Sequence, residues 1–131
     1  MTDSSQSASP TRYRVVHPPD RQDGSGQGVV RKFGISRSSA GSRHLSMAFG
    51  VVPAGATSTR HSHPFETAVF VISGRARAYF GLNDEESVDV EAGDFLYIPA
   101  GLPHSTANIG DTPVQYVLAW AAPEDIVIPV E

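Results

Sequence analysis

The sequence predicts an all-β domain, a barrel or sandwich of short strands. Three observations carry the prediction. Apolar and polar residues alternate with a period of two in several short segments. Turn residues, chiefly Gly and Pro, separate those segments at regular intervals. No apolar period of 3.6 is sustained over three helical turns.

The elements follow in order. Residues 1–28 are rich in Ser, Gly, Pro, Asp and Gln and poor in apolar side chains. Such a segment cannot offset its ordering entropy by burial, so it is expected to be largely disordered, with Tyr13-Arg14-Val15-Val16 able to lie on the domain as an edge segment. His17 falls in a Pro-rich turn and reads as an incidental surface histidine. Short strands are expected from Val29 onward, making residues 29–131 the barrel domain. Leu45, Met47, Phe49 and Val51 alternate with His44, Ser46, Ala48 and Gly50, giving a half-buried strand with His44 on its small, polar face, as a surface or rim residue. After the turn 52–55 come a histidine-bearing segment, an apolar strand at 68–72, a turn at Ser73-Gly74 and an alternating strand at 75–80. A polar loop, an alternating strand at 87–91 and a turn lead into a strand at 95–98. Residues 99–103 form a tight loop. The turn Asp111-Thr112-Pro113 opens a last long strand with Val114, Tyr116, Leu118 and Trp120 on one side. The tail, with Ile126, Val127, Ile128 and Val130, is expected at a sheet edge or against a second subunit. Phe70, Tyr79, Phe95, Tyr97, Tyr116 and Trp120 are expected mostly in the core, one or two of them at a cavity mouth.

Composition narrows the function. The chain has 131 residues, 40% hydrophobic, enough for one domain with one core. Its net charge of -4 and lack of a basic stripe exclude a nucleic-acid footprint. Arg31, Lys32, Arg37 and Arg43 form only a loose basic patch and read as a solvated face. There is no cysteine, so disulfides, thiolate catalysis and thiolate ligation are excluded. No leader pattern is visible and no stretch approaches the roughly 18 apolar residues that span a bilayer, so a soluble, cytoplasmic protein with no membrane partner is expected.

The chemistry lies in two blocks. The first runs from Gly55 to His63 and ends His61-Ser62-His63; the second runs from Gly93 to Asn108 and contains His104. Residues at i and i+2 on a strand share a face, so His61 and His63 can offer two imidazoles to one cation. His104, presented by a Pro/Gly loop, adds a third. Three nitrogens hold an ion on one side and leave positions open.

These blocks resemble the paired motifs of the cupin superfamily. The second, Gly-x5-Pro-x-Gly-x2-His-x3-Asn, is matched at Gly93, Pro99, Gly101, His104 and Asn108. The first, Gly-x5-His-x-His-x3,4-Glu-x6-Gly, is matched at Gly55, His61, His63 and Gly74. The resemblance spans about residues 45–120 and implies a double-stranded β-helix, a jelly-roll barrel, with His61, His63 and His104 holding one divalent transition metal (Fe, Mn, Ni, Cu or Zn). The family's glutamate position is occupied by Thr67. Strand parity turns residues 61, 63, 65 and 67 inward and Glu66 outward, toward Arg75 or Arg77; a bulge near Pro64 would turn Glu66 in. Asn108 is expected to stabilise a turn, and Gly101 to supply a backbone bend.

Three neutral imidazoles leave the ion its full charge and favour small anionic chelators such as enolates, catecholates or keto acids. The expected protein is a small metal-dependent enzyme of the oxygenase, isomerase/cyclase or lyase type. A non-catalytic binding protein and a metal-free sugar isomerase or epimerase are the alternatives. Thr67 and Tyr97 are the candidate pocket residues; Tyr97, Glu66 and Arg60 are candidate acid/base groups by proximity alone. Metal affinity should fall below about pH 6.5, where free imidazoles protonate. Relatives of this size also imply a homodimer.

Overall fold

The structure, a computed structural model, describes residues 12–23 and 29–130. The expected disorder before Thr11, and the stretch 24–28, lie outside the described residues. Two antiparallel sheets face each other. One has the order β1(Gln22–Asp23), β2(Val30–Ile35), β3(Ser46–Val52), β10(Val114–Trp120), β5(Thr67–Ser73), β8(Phe95–Ile98). The other runs β11(Ile128–Pro129), β4(His61–Ser62), β9(His104–Asn108), β6(Arg75–Phe80), β7(Glu86–Glu91). This is a jelly-roll β-barrel, the form of barrel that the family resemblance implied. One short helix, α1(Arg37–Ala40), interrupts it, closed by a reciprocal Ser36–Ser39 capping box and by Gly41 in the left-handed region. No described helix is long and apolar enough to cross a membrane.

Alternation decides which side chains fill the barrel. On β10, Val114, Leu118 and Trp120 are buried, with Tyr116 half-buried between two apolar clusters. Ala76 and Ala78 face inward from β6, while Arg75 and Arg77 pair outside with Glu91 and Asp89 of β7. Ala48, Phe65, Leu118 and Trp120 close one end of the barrel, and Val52, Val71, Ala76 and Val114 line its middle.

Two expectations are corrected. On β3 the small residues are the buried ones: Ser46, Ala48 and Gly50 point in, whereas Leu45 and Met47 are exposed and Phe49 and Val51 half-buried. The cause is the size of what lies opposite. Trp120 and Phe65 pack on Ala48, and a Cβ on Gly50 would collide with the Tyr116 ring. His44, just before the strand, is exposed as expected. The edge segment of the N-terminal region is Gln22–Asp23, paired with Phe33 and Lys32, while Tyr13 and Val15 stay exposed. The tail takes the sheet edge, the first of its two expected places: Ile128 and Pro129 pair with Ser62 and His61.

Candidate metal centre

The histidines come together because two corners of the barrel are locked to each other. His61 opens β4 and pairs across to His104, the first residue of β9. The chain then leaves this sheet through a bend at Pro64-Phe65 and enters β5 of the other sheet at Thr67. Inward parity survives the crossing: His61, His63, Phe65 and Thr67 are all buried. The Gly101 amide donates to the His63 carbonyl at 2.7 Å, joining the loop of the second block to the first. That loop needs glycine for its backbone, φ +79°, and not for space, since a Cβ there would meet nothing within 4 Å. Asn108 secures its end of β9, donating to Val52 and Thr112 carbonyls and accepting from the Gly110 amide.

The ligand nitrogens of His61, His63 and His104 all lie within 4.8 Å of one another. Each Nδ1 sits against a backbone carbonyl: Thr59 at 2.7 Å, Ile126 at 2.7 Å and Leu102 at 2.9 Å respectively. A carbonyl only accepts, so each Nδ1 carries the proton and donates. Each Nε2 is then a bare lone pair. Burial holds this state. It lowers the His61 and His104 pKa values to about 4, against the backbone hydrogen bonds that raise them, and with help from neighbouring histidines and Arg31. The onset of protonation expected near pH 6.5 therefore does not apply to these two. His63 stacks on Phe65, which stacks on Trp120, so an aromatic column from the core fixes its ring.

Of the described residues, three buried side-chain polar atoms have no partner: His61 Nε2, Thr67 Oγ1 and Arg31 Nε. All three residues line one cavity of about 70 Å³, together with His63, His104 and a wall of Val, Ala, Leu and Ile. Leaving such groups unsatisfied costs on the order of 1–3 kcal/mol each, which marks the cavity as built for a polar occupant. A borderline divalent transition cation fits the donor set: imidazole lone pairs already in the ligating tautomer, oriented through their Nδ1–H bonds.

Other expected residues fall elsewhere. Glu66 is exposed and accepts a 2.7 Å hydrogen bond from Tyr97 Oη, not from Arg75 or Arg77. Tyr97 is not a cavity residue: it is 58% exposed on the outer face of the six-stranded sheet, because Leu96 and Ile98 hold the inward parity of β8. The exposed Phe95 shares its outward face. Arg60 pairs with Asp84 away from the cavity.

Sequence reasoning missed two charged residues. Arg31, placed on a solvated face by composition, is 7% exposed inside the barrel; its parity with Phe33, which packs on the core, was the available signal. Asp125, from the C-terminal segment that folds back over the site, lies 3.4 Å from Arg31 and 3.8 Å from His63 Nδ1. No local pattern in the sequence marks it.

With the geometry established, comparison with known proteins adds the following. The cupin-domain family model matches residues 48–120. An uncharacterized protein of Methanocaldococcus jannaschii is 30% identical over 106 residues, 80% of this chain and 79% of its own. In structure, the polyketide cyclase RemF of Streptomyces resistomycificus superposes with a TM-score of 0.75 at 17% identity, over 92% of this chain and 87% of that one. A Bacillus subtilis oxalate decarboxylase, a protein with Mn(II) centres, superposes with a TM-score of 0.74 at 21% identity, over 99% of this chain and 35% of that one.

Proposed function

The chain belongs to the cupin-domain family, and on that premise we propose that it is a metal-dependent enzyme acting on a small molecule inside the barrel. His61, His63 and His104 are its ligands. The observation that carries this reading is the set of three Nδ1–H bonds to carbonyls, which turns three lone pairs toward one another. A divalent transition ion held there supplies Lewis acidity and, if redox-active, dioxygen chemistry. The protein's own residues do the rest. The carbonyl-bound imidazoles keep the donor set rigid, the aliphatic wall excludes bulk water, and the Thr67 hydroxyl is free to hydrogen-bond a reacting oxygen. No Asp, Glu or Lys is among the described lining residues. Chemistry centred on the ion, of oxygenase, isomerase/cyclase or lyase type, therefore suits the cavity better than carboxylate acid/base catalysis. The polyketide cyclase and the oxalate decarboxylase with its Mn(II) centres, which share this fold, support the class and leave the substrate open.

The same lack of a carboxylate base also suits a passive binder, and turnover separates the two readings. Untagged protein loaded in turn with Fe, Mn, Ni, Cu and Zn should hold one ion per chain. Product formation or oxygen uptake with catechols, enols and 1,3-diketones makes it an enzyme; tight binding of the same compounds without conversion makes it a binding protein. Failure to retain any of the five ions would overturn both. We further propose a homodimer, through the outer face of the six-stranded sheet.

A further inference from the structure

Arg31 is the only charged side chain among the described residues lining the cavity. Arginine is seldom buried unless its fork is used. Elsewhere in this molecule it is used: Arg60 binds Asp84 through two nitrogens at 3.3 and 3.1 Å, and Arg77 binds Asp89 through two at 2.6 and 3.1 Å. Arg31 differs. One nitrogen, Nη1, reaches Asp125 at 3.4 Å, and the buried Nε has no partner. A residue serving only to anchor the C-terminal segment would close the two-point pair that Arg60 and Arg77 make.

Resting on the metal-centre reading, we propose that Arg31 is the specificity residue for a carboxylate: the cavity takes a small organic acid whose carboxylate meets the Arg31 fork while a second oxygen, keto or hydroxyl, lies toward the three histidines. Size agrees. A cavity of about 70 Å³ is small and restricts the ligand to a very short acid. Thr67, the other unpartnered cavity group, is a third polar contact for such a ligand. Asp125 competes with the ligand for Arg31, so it sets the affinity from behind.

Calorimetric titration of the zinc-loaded protein with pyruvate and with its neutral amide, pyruvamide, tests this. Wild type should prefer pyruvate. Arg31→Met should weaken pyruvate binding by about tenfold or more, the scale of a charge-assisted hydrogen bond, with zinc content and pyruvamide binding unchanged. Asp125→Asn should tighten pyruvate binding by freeing the fork. The proposal is overturned if wild type does not distinguish the two compounds, if Arg31→Met binds pyruvate as wild type does, or if it loses both compounds alike with zinc retained. Should Arg31→Met fail to fold, Asp125→Asn decides, and unchanged pyruvate affinity there overturns the proposal. Zinc retained without carboxylate preference sinks the role of Arg31 alone. Carboxylate preference in a wild type that holds no zinc sinks the metal centre alone.

Discussion

At the scale of single residues, the cavity presents side chains whose polar atoms are buried and idle, and each makes a prediction. Thr67→Val replaces an unpartnered buried hydroxyl with a methyl of similar shape. It should raise stability of the metal-free protein by about 1 kcal/mol, read as a shift in urea midpoint, and a loss of stability would mean the hydroxyl has a partner after all. His61→Ala should abolish metal retention, measured by elemental analysis, whereas Glu66→Gln should keep it, because Glu66 faces Tyr97 and solvent. The buried imidazoles also set a pH dependence. The unfolded chain takes protons on His61 and His104 from about pH 6.5, the folded chain only near 4. Between those values the unfolded state binds more protons, so metal-free stability should fall as pH drops from 6.5 to 4 and level off below. Chemical denaturation across that window checks it, and stability rising toward pH 4 would refute the neutral, carbonyl-bound tautomers. The histidines themselves were legible in the sequence, because i, i+2 spacing and a glycine-proline loop are local signals. Arg31 and Asp125 were not: they are 94 residues apart, and only the closed barrel brings them together.

Secondary elements show where local pattern stops being enough. Alternation assigned the buried side of β10 and β6 and the outward Glu66, since one face of each strand is clearly the larger or the more apolar. On β3 the same rule names the wrong face. Its apolar set is Leu45, Met47, Phe49 and Val51, yet the core accepts Ser46, Ala48 and Gly50, because the bulk there is supplied by Trp120, Phe65 and Tyr116 from other elements. Period gives a strand; complementarity of volume across the barrel decides which face is in. Gly50 is the sharpest case. Gly50→Ala places a methyl into the Tyr116 ring and should cost about 1–3 kcal/mol in equilibrium unfolding. The double variant with Tyr116→Leu should recover part of that loss; equal destabilisation in the single and double variants would show that Tyr116 is not what excludes the side chain.

Across the whole molecule, the inverted face of β3 leaves an apolar sheet surface outside. Register places Lys32, Phe49, Val117, Phe70 and Phe95 in one row across five strands, and Met47, Ala119, Ala68 and Tyr97 in the next. Phe95 is 80% exposed, and Met47, Ile72 and Val30 are exposed as well. Five strands about 4.8 Å apart, with some seven residues rising about 3.3 Å each, make a face of roughly 400–500 Å² in projection. Contiguous apolar surface of that extent marks a protein contact. The proposed homodimer puts a second copy there. In such a dimer the outer faces of two six-stranded sheets would pack on each other about a two-fold axis. Light scattering at micromolar concentration should therefore give twice the chain mass. Phe95→Asp, which puts a charge on the most exposed aromatic of that face, on β8, and leaves the cavity untouched, should give the chain mass with metal binding intact. A monomeric wild type, or a Phe95→Asp variant that stays dimeric, would mean that this sheet face is not the contact between subunits.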